Sequence, residues 1–405
     1  MDPKNLISIN KNIDNVSEAA FPYWWVFQGE NLQASGQEGQ MVVFFGNDMA
    51  TFIKMGVDAD RYIKKCNECL DYLRKNFKNY RLCYKPHPAD KEEKVLLDLA
   101  GFDFINDKIN SELFLFQNRD RIKGVFSEGS ASSWSAYGMG LNAYVFYKCF
   151  VDVCGNDLTR PSDDFFFNMP QSFFIKNFNE TIVDNARNLE KAESLELFFR
   201  QKLSENTGTV WLVAFTVEYI VWLIALAKLV KNLSPANRVG LIISHHRYWS
   251  SLNANYFKKY FDEIVVWPRI NYSLRPAKLW QAVKTARQIK NFKISKDDIL
   301  ISIAQNSFVE NCLNSYHKNN LKIGLIADKD FNLFYNSQNS IYTNNSDFRF
   351  NKASWFFNKI LEPLLGLHRS VFMFYSRGGG YFITRYQKPL NEVFDRLIIM
   401  KATAK

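Results

Sequence analysis

Short apolar runs, each closing on a small or polar residue, alternate along this chain with stretches long enough for a helix. MVVFFG (41–46), YRLCY (80–84), FDFI (102–105), IKGVF (122–126) and NAYVFY (142–147) read as strands. Helices are predicted over 58–77, 90–100 and 111–119. Runs that are apolar throughout belong to strands covered on both faces, which is the habit of parallel sheets built from βαβ units. Residues 151–180, rich in Asp, Asn, Phe and Pro, read as an irregular excursion, and about 180–204 as a charged helix. ENTGT (205–209) reads as a linker, after which the alternation restarts. Strands are predicted over 209–216, 239–244, 263–267, 298–303 and 321–326, and helices over 217–232, 250–260, 276–291 and 306–317. The tail segment VFMFYSRGGGYFITRY (371–386) reads as a hairpin with glycines in its turn. The expectation is an α/β chain of two Rossmann-like domains, 1–204 and 205–405, with ligands favouring a cleft between them. No sequence repeat relates the halves.

Composition excludes several classes. At 47% hydrophobic and 23% charged the 405 residues are a globular chain, and 16% aromatic content supplies large cores. Lys plus Arg exceed Asp plus Glu by 51 to 41, and the net charge of +10 suits an anionic partner. Nucleic acid is set aside as that partner, because no Lys/Arg block or RNA-binding motif is present. The six cysteines form no secreted-domain pattern, and the opening MDPKNLISINKNIDNV has no apolar signal core, so a reducing, cytoplasmic setting is expected. Residues 210–230 are long and apolar enough to raise a membrane span, but Glu218 sits in their middle. They read instead as a strand followed by a buried helix.

Two stretches carry candidate chemistry, both directly after a predicted parallel strand, where α/β sheets bind ligands. Lys85-Pro86-His87-Pro88 is stiffened by its prolines. Its Lys85 and His87 can donate to a phosphate, and the imidazole can pass a proton to a leaving group. The bland alternative is a rigid turn. Ser127-Glu128-Gly129-Ser130-Ala131-Ser132-Ser133 opens a helix. Hydroxyls and free amides there make an anion site, although one serine would suffice to cap the helix. Glu128 either accepts from ribose hydroxyls or is simply solvated.

KPHP followed by a serine-rich βα turn resembles the HP and serine motifs of bacterial transferases that use CMP-activated acidic sugars: sialyltransferases, polysialyltransferases and capsule β-Kdo transferases. With the nucleotide-binding half first, the order resembles the retaining β-Kdo transferase module of WbbB-type lipopolysaccharide O-antigen synthases. The resemblance implies a GT-B-like fold with CMP-β-Kdo as donor. It implies an acceptor glycan, lipid-linked or polysaccharide, and retention by double displacement through an enzyme-linked intermediate. Lys85 and His87 would then meet the CMP phosphate, and Ser127, Ser130, Ser132 and Ser133 phosphate or ribose. No cofactor or metal is expected. Where the resembled module has an aspartate nucleophile after its long apolar helix, this chain has Asn232, so catalysis would be impaired. Without the resemblance Asn232 reads as a helix C-cap before Pro235. The chain stops at KATAK without an obvious anchor, so an excised module is expected, with further glycosyltransferase domains of the same polypeptide beside it. A peripheral place at the inner face of the bacterial inner membrane goes with that reading. The alternatives carried forward are an inverting CMP-sialate sialyltransferase and a non-catalytic nucleotide- or glycan-binding module.

Weaker candidates complete the set. Asn47 and Asp48 follow the strand 41–46, and His245-His246-Arg247 follows 239–244, where an arginine could grip a sugar carboxylate. Asp58-Ala59-Asp60 resembles a metal-binding DxD, but it starts a helix and is read as a cap. Cys66 and Cys69 lie inside one predicted helix without a second pair, which speaks against zinc. Arg377-Gly378-Gly379-Gly380 is read as the hairpin turn.

Overall fold

The computed structural model describes residues 16–27, 39–87, 96–105, 109–189, 191–214, 219–245, 257–270, 273–303, 307–328, 349–350, 352–367, 371–375, 382–386 and 394–401. It divides into two compact units, one of residues 27–190 and one of 1–26 together with 191–401. The first strand, β1 (Val16–Ala20), belongs to the larger unit. That unit is therefore assembled from both ends of the chain, whereas the sequence reading puts the boundary at 204/205. The cause is a long-range pairing: β1 adds in parallel to the last strand of the chain.

The smaller unit holds β2 (Met41–Phe45), β3 (Arg81–Lys85), β4 (Phe102–Phe104), β5 (Ile122–Ser127) and β6 (Ala143–Val145). Its strands are ordered β4-β3-β2-β5-β6 and all are parallel. β2 is buried at every position, as a central strand covered on both faces must be. Helix α1 (Ala59–Asn76) is capped by Asp58, whose carboxylate accepts from Arg61 N at 3.0 Å. It lays Tyr62, Cys66, Cys69, Leu70 and Leu73 onto the core at helical spacing. Two shorter helices follow, α2 (Ser111–Asn118) and α3 (Ala131–Gly138).

The excursion at 151–180 is not irregular throughout. It contains helix α4 (Val151–Phe165), interrupted where Gly155 takes φ 73°. The charged helix expected from about 180 starts later, as α5 (Glu193–Glu205). Residues 181–189 lie outside regular structure, and Asn185 ties them to β6 with Nδ2 on Ala143 O at 2.9 Å and Oδ1 accepting from Ala143 N at 3.0 Å.

The larger unit holds β7 (Val210–Ala214), β8 (Val239–His245), β9 (Glu263–Pro268), β10 (Ile299–Ile303), β11 (Leu321–Ala327) and β15 (Arg396–Lys401). With β1 they form a seven-stranded sheet ordered β1-β15-β11-β10-β7-β8-β9, every neighbour parallel. Read from β9 this is the dinucleotide-fold order 3-2-1-4-5-6 with one strand appended. Helix α6 (Ile220–Leu233) is buried along nearly its whole length. Helices α7 (Pro276–Lys290) and α8 (Phe308–Tyr316) pack with Trp211, Ile242 and Leu300 of the sheet. The apolar stretch around 210–230 is thus a strand and a core helix, and among the described residues no helix is long and apolar enough to cross a membrane. A three-stranded antiparallel sheet of β12 (Arg349–Phe350), β13 (Val371–Tyr375) and β14 (Phe382–Tyr386) contains the expected hairpin strands. Its glycine turn, with Arg377, lies outside the described residues.

Candidate functional site

The smaller sheet changes winding direction at β2, which has β3 on one side and β5 on the other. In open α/β sheets this switch point is where a crevice opens at the strands' carboxyl ends. The register aligns Phe45 with both Lys85 and Ser127, so the three strands end in one row. Just beyond that row lie Asn47 and Asp48, then Pro86 and His87, then Glu128. The two motifs separated by some forty residues in sequence are thus brought to one sheet edge, with Asn47 and Asp48 between them. Lys85 and Pro86 are buried and His87 is half-buried. Gly46 N donates to Lys85 O at 2.9 Å, locking the β2 exit against the β3 exit.

Glu128 is not solvated. It is 6% exposed, and its Oε2 accepts from the phenol of Tyr62 on α1. A second bond to Glu128 comes from the Asn47 side chain. Asn47 Oδ1 already accepts from Asp48 N at 3.0 Å, which leaves its amide nitrogen to donate to the carboxylate. Burial raises the Glu128 carboxyl, the bonds from Tyr62 and Asn47 offset part of that rise, and the carboxyl ends up pushed to about 7. Tyr62 moves well above its usual range, first from burial and then from the carboxylate beside it. A carboxyl poised near neutrality can hold or release a proton at working pH. Sequence reading named Glu128 but missed its partner. The available signal was Tyr62 on the same apolar face as Cys66, Cys69 and Leu73, one turn after the Asp58 cap.

The serine turn needs a correction. Ser127 and Ser133 are fully buried with their hydroxyls 2.8 Å apart. Ser133 Oγ donates to Tyr144 O at 3.1 Å, and Ser127 Oγ accepts from Ser130 N at 2.9 Å. Both hydroxyls are therefore used in closing the turn onto β6. Ser130 caps α3 by accepting from Ser132 N at 3.2 Å. The hydroxyl hydrogens of Ser130 and Ser132 are donated to no group among the described residues, so these two of the four remain able to meet an anion.

Asn232 also needs a correction. Helix α6 follows β7 and runs back from the carboxyl edge of its sheet to the amino edge, where β8 begins. Its neighbour Lys231 pairs at 3.0 Å with Asp262, whose other oxygen accepts from Val239 N at the very start of β8. Asn232 is exposed beside this amino-edge closure. That is a place for the end of a helix, on the edge opposite to the carboxyl ends at which open α/β sheets generally bind ligands. His245 ends β8, paired with Pro268 of β9, on the carboxyl edge. Arg247 lies outside the described residues.

Among the described residues no group of three or more His, Cys, Asp and Glu is placed to hold a metal ion. Asp58 is occupied as a cap. Cys66 and Cys69 are packed in the α1 core, and burial raises the Cys69 thiol well above its usual value. Such a thiol is inert at neutral pH.

No family model and no curated protein matches the chain. Among solved structures, two variants of the wall teichoic acid polymerase TagF align with it, each at 10% identity over 75% of this chain and 74% of theirs. Their TM-scores are 0.19 and 0.18. Likenesses of that size say nothing further about this chain.

Proposed function

We propose that the chain is a glycosyltransferase of GT-B type that takes Kdo from CMP-β-Kdo to a hydroxyl of a growing glycan. The nucleotide would lie at the carboxyl edge of the smaller sheet. One observation carries the reading: the HP motif and the serine motif, each weak alone, end on adjacent sides of one switch-point strand. The donor's identity comes from the motif resemblance. In this reading His87 donates to the CMP phosphate and protonates it as it leaves. The buried Lys85 supplies positive potential beneath it, and Ser130 and Ser132 donate from the start of α3. Glu128 is the floor of the site. Tyr62 and Asn47 occupy two of the roughly four acceptor positions of a carboxylate, which leaves capacity for a ribose hydroxyl. Side-chain cations neutralise a single phosphate without a metal, so transfer should survive EDTA.

Retention by double displacement needs a carboxylate nucleophile, and Asn232 at the amino edge does not supply one. A carboxyl near neutrality is instead what a base-assisted inverting transfer uses, so Glu128 favours the inverting alternative as a second reading. Incubation with CMP-Kdo and, separately, CMP-sialate, with CMP release and product configuration followed by NMR, tests both. CMP released only from CMP-Kdo with a β product supports the first reading. An inverted product supports the second, and binding without release reduces the chain to a nucleotide-binding module.

A further inference from the structure

Between Glu263 and Asp297 the sequence has eight Lys or Arg and no Asp or Glu. This stretch carries +8 of a net charge of +10. It includes edge strand β9, helix α7 and the turn into β10. All eight cations are exposed. Arg275, Lys278, Lys284, Arg287, Lys290 and Lys293 are in no ion pair among the described residues, although charged side chains elsewhere pair freely, as Arg81 does with Asp103. Helix α7 buries Ala282, Thr285, Ala286 and Ile289. At 3.6 residues per turn, Trp280, Lys284 and Arg287 then share its outward face. Trp280 is 64% exposed, and Leu274 just before the helix is 48% exposed.

A solvated scaffold helix gains nothing from an exposed tryptophan and no acid to balance its cations. We propose that α7 and residues 273–275 before it dock on an anionic lipid surface, with the cations at the headgroups and Trp280 and Leu274 inserted at the interface. A nucleic acid would use the same cations and could stack on Trp280, but it offers no place for the exposed Leu274 beside it. The inference does not depend on the sugar donor.

Co-sedimentation of the full chain with vesicles tests it. Binding to phosphatidylcholine vesicles containing about a third phosphatidylglycerol is expected, with none to phosphatidylcholine alone and release at high salt. The pair Lys284→Ala/Arg287→Ala should weaken binding about fivefold per cation lost, roughly 25-fold together. Trp280→Ser should weaken it independently of salt. The control pair Lys64→Ala/Lys75→Ala, exposed on α1, removes the same charge and should change little. All four side chains of the two pairs are exposed, and circular dichroism checks that each variant is folded. No binding to the anionic vesicles, or an equal loss in both pairs, overturns the proposal. So does tighter binding to a single-stranded oligonucleotide that is lost with the same variants.

Discussion

The two sheets share the order 3-2-1-4-5 yet differ in how the polar groups at their edges are used. In the smaller one, Asn47, Asp48, His87 and Glu128 gather beyond the carboxyl ends of β2, β3 and β5. In the larger one, Asp298, Asn320 and Asn237 form a buried polar set at the amino edge that is used by backbone, while Ser307, Glu310 and Asp328 are buried beyond the carboxyl ends of β10 and β11, where Ser307 and Glu310 close a helix cap on each other. Asp298 accepts from Thr209 N at 2.7 Å, Ser295 N at 2.9 Å and Trp211 Nε1 at 3.1 Å. Asn320 Nδ2 donates to Ser295 O and Asp298 O, and Asn237 Nδ2 to Asn206 O and Gly208 O. The contrast separates scaffold from site. Amino-edge side chains are saturated by turn amides and carbonyls, whereas at the carboxyl edge Glu128, Ser130 and Ser132 keep bonding capacity.

Asp298→Ala should strike the scaffold hardest. It strands three donors at roughly 1–3 kcal/mol each, so a loss of about 4 kcal/mol is expected in urea unfolding. An unchanged midpoint would deny the amino edge its structural role. Glu128 comes next. Its carboxyl keeps a proton up to about 7 in the fold, against 4.5 ordinarily. The native state then binds more protons than the unfolded chain between those values, so stability falls as pH rises through them, by about 3 kcal/mol in all. Glu128→Gln should flatten that slope between pH 5 and 8, and an unaltered slope would mean Glu128 is ionised throughout.

The larger unit should show the opposite sign. Burial lowers His317, whose ring nitrogen lies 3.3 Å from Ile289 O. The unfolded chain therefore takes up the proton first, and stability present above the ordinary 6.5 is lost as pH falls below it. His317→Gln should remove this smaller acid-side loss, measured by the same titration. The least effect is expected from Asn232→Asp. At an exposed helix end facing the amino edge, it should leave any transfer rate within about twofold and cost a few tenths of a kcal/mol against the helix dipole. A gain of orders of magnitude would restore Asn232 to the reacting centre.

The alternation was legible because a parallel strand covered on both faces is buried at every position, as β2 and β10 are, and so reads as a nearly continuous apolar run. β1 was not, because VSEAA has no apolar run and earns its place only by pairing with β15, nearly the whole chain away. Helix α4 hid behind Gly155, Pro161 and its aspartates, all poor helix formers that tertiary packing overrides. At the site, the motifs and their strand ends were readable. The direction of each serine was not, since whether Ser133 meets a ligand or Tyr144 O depends on the β5–β6 pairing.

The claim that the ligand edge belongs to the smaller sheet is tested most directly by calorimetric titration of CMP into the full chain, its His87→Ala variant and its Asn232→Asp variant. A bond to a charged phosphate is worth about 1.5–3 kcal/mol, so His87→Ala should weaken CMP binding roughly tenfold or more while Asn232→Asp leaves it unchanged. Equal affinity in all three, or a loss confined to Asn232→Asp, would contradict the account.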